Sequence, residues 1–244
     1  MTLKIATYNI HHGINQKKIV ENIQKLSKDG VSVFCLQEVR EFSKKISTLN
    51  AYLEALGDEW EYEKFIEPDS YNFGLCFIWK KSVLKNKKIE KLVLPKIPKL
   101  NIRVLVKRIK KPIDRGALIG TFKINGKLLR IINVHLDCHG QFLHREKQIR
   151  ALMLYLKDST RIKQEIICGD FNTIGAEALS KKQEKKILDI LGSGFKNAYP
   201  KSTPTFLLFQ RLDYIFVKNM KIQKAEVLKM KGSDHLPLVA ELEI

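Results

Sequence analysis

The 244-residue chain carries 44 Lys and Arg against 26 Asp and Glu, and its net charge of +18 favours a polyanionic partner, nucleic acid or an anionic membrane surface. No apolar run approaches the roughly 18 residues of a membrane-spanning helix. The four cysteines, Cys35, Cys76, Cys138 and Cys168, are widely spaced and three lie in apolar runs that look like core strands, a pattern that suggests reduced, buried thiols rather than a disulfide framework or a zinc site. Length allows one domain or two, but no linker, repeat or low-complexity segment interrupts the chain, so residues 1–244 are expected to form one domain. A strand begins almost at Met1 without a charged-then-apolar leader, which with the buried-looking thiols predicts a soluble, cytoplasmic protein. No protein partner is implied.

Leu3 to Ile10 alternates and then turns fully apolar, as a strand entering a sandwich interior does, with Asn9 at its end. An amide there ligates a hard cation through its oxygen, donates to a phosphate, or merely ends the strand in a turn. His11 and His12 follow as candidate substrate contacts. Ile19, Val20, Ile23 and Leu26 give helical spacing over residues 17–27, and Asp29-Gly30 supplies a stop. Val31 to Val39 is a second buried strand, and its Glu38 is costly there unless it binds a metal or pairs with Arg40 or a lysine. A helix is expected over 43–57, a strand over 72–79, and a hairpin or loop in the lysine-rich stretch 85–91. Further strands are expected over 104–106 and 117–122, around Arg115-Gly116, which brings a guanidinium toward a phosphate or makes a turn. The basic clusters 85–91 and 103–111 line a groove or solvate an edge.

Leu128 to Asp137 reads as a buried strand with His135 near its end, either a catalyst or a satisfied core histidine. Residues 145–156 have helical spacing, with Ile149, Leu152 and Tyr155 or Leu156 on one face, and Arg145 beside Gln148 is a phosphate clamp or a solvated charge. In Glu165 to Thr173 an apolar strand ends in Asp170 and Asn172, two apart, which in extended backbone point the same way. A helix over 180–191, a strand over 211–217 with Asp213 at its start, and a closing strand after Asp234-His235 complete the chain.

Asn9, Glu38, His135, Asp170, Asn172, Asp213, Asp234 and His235 thus all stand at strand ends, which argues for one polar site on one rim of an apolar sheet structure. Hard-oxygen groups with imidazole and no clustered thiols suit magnesium or manganese, and magnesium so held usually works on phosphate.

The motifs Thr7-Tyr-Asn9-Ile, Leu36-Gln-Glu38-Val, Asn133-Val-His135-Leu, Gly169-Asp170-Phe-Asn172, Arg211-Leu-Asp213-Tyr-Ile and Ser233-Asp234-His235-Leu-Pro together resemble the endonuclease/exonuclease/phosphatase superfamily. The resemblance implies a four-layer α/β sandwich, two packed and mainly antiparallel β-sheets flanked by helices, and metal-dependent phosphoester cleavage. It implies Glu38 as metal ligand with Asn9 and Asp234 near it, and His235, oriented by Asp213, acting on the attacking water. His135 and Asn172 would hold the scissile phosphate, Asp170 would align water or leaving group, and Arg115 and Arg145 are further candidate phosphate contacts. Asn133-Val-His135-Leu-Asp137 stands where exonuclease-III-type members carry Tyr-x-Pro-Asn, which resembles the branch of deoxyribonucleases and sphingomyelinases. The leading expectation is a Mg2+-dependent nuclease, with Mn2+ as an alternative metal. Two others stand beside it: a lipid or inositol phosphoesterase at a membrane, for which Phe206-Leu-Leu-Phe209 is an apolar loop or part of a core strand, and a nucleic-acid-binding module without catalysis.

Overall fold

The computed structural model describes residues 1–41, 47–68, 70, 72–96, 114–157 and 162–244. Two six-stranded sheets lie face to face. The first runs in the order β11-β12-β1-β2-β4-β3, from β1 (Thr2–Asn9), β2 (Val33–Arg40), β3 (Trp60–Ile66), β4 (Phe73–Lys80), β11 (Lys221–Val227) and β12 (Leu238–Glu243). The second runs β5-β6-β7-β8-β10-β9, from β5 (Lys85–Val93), β6 (Gly116–Ile124), β7 (Lys127–His135), β8 (Gln164–Asp170), β9 (Phe195–Asn197) and β10 (Asp213–Lys218). Each sheet has one parallel pair, β1 with β2 and β7 with β8, among otherwise antiparallel neighbours.

Helices α1 (Gln16–Lys28) and α2 (Thr48–Leu56) pack together on one sheet, and α3 (Phe142–Leu156) and α4 (Glu177–Leu191) on the other. Three apolar layers result. The central one joins the sheets through Leu75, Phe77, Trp79, Phe122 and Ile215, and the outer two bury the helix faces, Ile19, Ile23 and Leu26 of α1 and Ile149, Leu152 and Leu156 of α3 among them. Tyr155 is exposed, so Leu156 fills the last position of the α3 stripe. None of the helices among the described residues is long and apolar enough to cross a membrane.

The lysine-rich stretch 85–91, expected as a hairpin or loop, is strand β5, an edge strand paired with β6, so this cluster lies along a strand edge. The expected strand over 104–106, the cluster 103–111 and the start of the helix expected over 43–57 lie outside the described residues. Phe206 to Phe209 is a surface turn rather than a core strand.

Strand direction explains why the polar strand ends meet. β1, β2, β7 and β8 end on the same rim where β6, β10 and β12 begin, because the register pairs His135 with Asp170 and Gly116, Asp170 with Asp213, and Thr7 with Leu238. Between the sheets, Gln37 donates to Asn133 Oδ1 at 2.7 Å, and Asn133 donates to the carbonyls of Leu36 and Cys76 at 2.9 and 3.0 Å. This buried amide pair fastens one sheet to the other one residue before Glu38 and two before His135. Gly169 sets the spacing of β8 against β7: its φ is +138°, and a Cβ there would lie 2.0 Å from the Val134 carbonyl oxygen. Gly169→Ala is therefore expected to cost about 3 kcal/mol, lowering the melting temperature by roughly 6–12 °C in a thermal scan. An unchanged midpoint would show that the two strands separate freely at this point.

Candidate active site

Glu38 reaches the rim through a backbone irregularity. The β2–β4 register shifts between Gln37 and Val39, and Glu38 itself sits at φ +60°. A bulge of this kind re-aims one side chain out of the strand alternation. The Glu38 carboxylate accepts from Asn9 Nδ2 at 3.2 Å and lies 3.2 Å from His12 Nε2 and 3.9 Å from His135 Nε2. The left-handed pair His11 and His12, at φ 46° and 55°, brings one ring to each of two acids, since His11 Nδ1 is 3.5 Å from Asp234 Oδ1.

Asn9 ties these groups to the second sheet. Its Nδ2 also donates to Asp170 Oδ2 at 3.1 Å, while its oxygen accepts the His11 N–H at 3.0 Å. Asn9 thus enters the site as a donor between two carboxylates, and its oxygen, expected to face a cation, is engaged by backbone. Ser233 Oγ closes the circuit by donating to the Asn9 carbonyl at 2.7 Å and accepting from His235 N–H at 3.1 Å.

Asp170 is the centre. Its Oδ2 lies 3.7 Å from His135 Nε2 and 3.8 Å from His235 Nε2, and the side chain is buried. Burial, reinforced by nearby Asp213, pushes its pKa up to about 7 against the opposing pull of His235, the Asn172 N–H and Asn9. His235 Nδ1 is hydrogen-bonded to Asp213 Oδ2 at 2.8 Å. Burial opposes a charge on His235, but the Asp213 carboxylate outweighs it and raises the pKa to about 10. Asp213 is itself fixed by the bond from its N–H to Thr205 Oγ1 at 3.1 Å.

His135 is held in the opposite electrostatic state. Burial first, and then the Arg115 guanidinium, hold its pKa well below the usual histidine range. Arg115 Nη1 lies 3.1 Å from His135 Nδ1. A guanidinium only donates, so Nδ1 is the acceptor and the ring proton is on Nε2, the nitrogen facing Asp170 and Glu38. Arg115 is in turn 3.6 Å from the buried Glu67, which also accepts the Gly116 N–H at 2.7 Å. Arg115 therefore supports His135 from beneath, its guanidinium buried between His135 and Glu67.

Two other expectations change. Asn172 is not extended: at φ 49° its N–H folds back to Asp170 Oδ1 at 2.9 Å, and its side chain donates to the Leu136 carbonyl at 2.8 Å. Arg145 is buried and donates to the carbonyls of Asp137 and Gly140 at 3.1 and 2.8 Å, so it braces the loop after β7 instead of clamping a phosphate. Gln148 does the same through Asp137 N–H and the Pro95 carbonyl. Sequence reasoning missed Glu67, whose surroundings offered no strand-end signal, and Gln37 and Asn133, which lay unremarked inside recognised motifs.

Asp170, Asp213 and His235 present ligand atoms within 4.8 Å of one another, a possible metal-binding group. The 2.8 Å bond between His235 Nδ1 and Asp213 Oδ2 already engages one ligand-type atom of each, although Asp213 Oδ1 is buried without a partner. The other oxygen donors are Glu38 and Asp234, partly exposed at the rim. A set of carboxylates with neutral amide and imidazole neighbours fits a hard divalent cation.

The sequence pattern of the Endonuclease/Exonuclease/phosphatase family matches residues 6–235. The chain belongs to this family. Members are phosphoester hydrolases, typically dependent on a divalent metal. Uncharacterized protein YbhP of Escherichia coli (strain K12) is 23% identical over 255 residues, covering 100% of this chain and 97% of that protein. UPF0294 protein VV2535 of Vibrio vulnificus (strain YJ016) is 26% identical over 125 residues, and the match spans 49% of this chain but only 41% of that relative. Among solved structures, the endonuclease/exonuclease/phosphatase from Bacteroides vulgatus superposes with a TM-score of 0.77 at 19% identity, over 100% of this chain and 99% of that one. Mannosyl-6-phosphatase Bt3783 of Bacteroides thetaiotaomicron gives 0.74 at 18% identity (99% and 100% covered), and D. rerio TDP2 complexed with single strand DNA product gives 0.72 at 17% (100% and 99%). At these identities the likeness concerns the fold.

Proposed function

We propose that this family member hydrolyses a phosphodiester by in-line attack of water, with nucleic acid as the substrate class. The observation that carries the reaction is the convergence of two histidines of opposite electrostatic character on one buried carboxylate, Asp170. His235, anchored on Asp213 and kept protonated by it, positions the attacking water, whose proton passes to the Asp170 carboxylate beside it. His135, neutral and protonated on Nε2, donates to a phosphoryl oxygen, and Asp170 keeps both rings aimed at one point. Asn172 fixes Asp170 through its N–H, and Asn9 holds Asp170 and Glu38 in one plane of contacts. Glu38 and Asp234 would hold a divalent cation, magnesium before manganese, which when bound offsets charge developing on the phosphate oxygens.

Nucleic acid is favoured by the net charge of +18, because Lys and Arg that neutralise backbone phosphates release counterions and so bind the polyanion. The test is supercoiled plasmid with magnesium at low and moderate salt. Nicking that chelator abolishes and that falls steeply with salt is the expected result; an intact plasmid in every lane would overturn the nuclease reading. A second reading, hydrolysis of a lipid headgroup phosphoester, is favoured by the exposure of Leu207, Leu208 and Phe209 beside His235.

A further inference from the structure

The turn between β9 and β10 presents apolar side chains to solvent at the edge of the site. Leu207 is 63% exposed, Leu208 68% and Phe209 89%. Phe209 is also held at φ +58°, a conformation unfavourable for a bulky side chain, so the turn presents this ring at a conformational cost. Monomeric proteins seldom spend strain to expose contiguous apolar residues, and such a patch marks a docking surface.

The base of the turn is tied to the catalytic residues. Thr205 and Phe206 N–H groups both donate to the Gln210 carbonyl, at 3.0 and 2.9 Å. Leu207 N–H donates to the Asp234 carbonyl at 2.9 Å, and Leu236 N–H to the Thr205 carbonyl at 2.7 Å. Phe206 points inward, its ring 4.9 Å from that of His235. The apolar tip is therefore a rigid extension of the strand junction that holds His235 and Asp213.

Other loops on this rim repeat the pattern. Ile14, just after the His11–Gly13 turn, is 71% exposed, Ile174, just after Asn172, is 38% exposed, and Leu179, in the first turn of α4, is 48% exposed. Exposed lysines stand among them: Lys17 and Lys18 after Ile14, Lys201 before the turn, and Lys229 and Lys231 before Asp234. Apolar tips with exposed lysines close by in the chain, Lys18 among them paired with Glu21 at 2.6 Å, match a surface that is anionic in its headgroups and apolar beneath them. A single nucleic-acid strand fits less well, because stacking needs aromatic faces and two of the three tip residues are leucines.

We propose that the Leu207–Phe209 turn inserts into an anionic lipid bilayer and seats the active-site rim on it. The lysines supply the attraction to the headgroups and the turn supplies the apolar anchor. This inference rests on the second reading above, in which the phosphoester reaching the site is a lipid headgroup, and it competes with nucleic acid as the substrate class.

The test is co-sedimentation of the full chain with vesicles of phosphatidylglycerol and phosphatidylcholine, against phosphatidylcholine alone. The wild type is compared with a Leu207→Asp, Phe209→Asp double variant, and hydrolysis of a soluble phosphodiester, bis(p-nitrophenyl) phosphate, is measured for both. Binding to the anionic vesicles is expected, weakened at least tenfold in the variant, with hydrolysis of the soluble ester unchanged. Equal binding of the two proteins would overturn the anchor in favour of simple charge attraction. So would absence of vesicle binding, or single-stranded DNA binding that depends on Phe209 while vesicle binding does not. A chain that ignores vesicles yet cleaves the soluble ester loses the anchor and keeps the phosphoesterase; vesicle binding without cleavage does the reverse.

Discussion

His235→Ala is expected to lower phosphodiester turnover by about a thousandfold, within the usual range for a positioned general base or acid. The expectation comes from how completely the ring is immobilised. Nδ1 is bonded to Asp213, the N–H to Ser233 Oγ, and the ring face packs on Phe206, leaving Nε2 directed at the junction with Asp170. Alanine removes the one group there whose proton is stabilised by three carboxylates, Asp213, Asp170 and Asp234, and leaves Asp213 buried without its partner. Asp213→Asn should cost nearly as much, because an amide Nδ2 facing Nδ1 would favour the wrong tautomer. The measurement is kcat for a soluble phosphodiester, with circular dichroism to confirm the fold. Turnover within tenfold of wild type would move the water-positioning role to Asp170 or His135. Glu38→Gln gives a separable result, since its loss should appear as weaker binding of magnesium in calorimetry.

Much of the fold was legible because the interior strands are apolar. β1, β2, β4, β7 and β8 each bury runs such as Ile131-Ile132 and Ile166-Ile167-Cys168, and a run of this kind bounded by polar residues signals a strand at both ends. The edge strands were not legible. β3, β5, β9 and β11 are the outer strands of the two sheets; the sequence pattern marks none of β3, β9 and β11 as a strand and reads the β5 stretch as a hairpin or loop. Their lysines and glutamates, in Trp60-Glu-Tyr-Glu-Lys and Lys85-Asn-Lys-Lys, keep an edge soluble and unpaired, and so hide the strand from an apolar pattern. The site followed the same division. Asn9, Glu38, His135, Asp170, Asp213 and His235 were readable as polar residues ending apolar strands, and the register brings them together. Arg115 and Arg145 suggest phosphate contacts or exposed charges in the sequence because a guanidinium there looks like a surface charge, whereas burial here turns both onto internal acceptors. Glu67 precedes Pro68 in a loop, and only the contact with Arg115 across 48 positions of sequence gives it a role.

That contact gives the second large effect. Arg115→Met is expected to destabilise the protein by about 1–3 kcal/mol at pH 6, the usual cost of orphaning buried polar groups, here His135 Nδ1 and Glu67. The cost should then grow with pH. Burial lifts the Glu67 pKa from 4.5 to about 8 even with Arg115 and the Gly116 N–H favouring its charged form. A carboxyl whose folded pKa lies above its unfolded value binds an extra proton in the native state, so stability declines as pH rises from about 4.5 to about 8. Removing Arg115 raises the folded value further. Below about pH 8 wild type and variant both keep the proton and decline together; above it only the variant goes on losing about 1.4 kcal/mol per pH unit. By pH 9.5 the difference should reach about 3–5 kcal/mol, as for a buried pair broken on one side. Urea unfolding of both proteins at pH 6, 8 and 9.5 measures it, and contributions from Asp170 and His235, present in both, cancel in the difference. Glu67→Gln in the Arg115→Met background should abolish the divergence above pH 8 while keeping an acceptor for the Gly116 N–H. A difference that stays constant from pH 6 to 9.5 would mean that Glu67 is not the group Arg115 neutralises, and that His135 is held by the guanidinium alone.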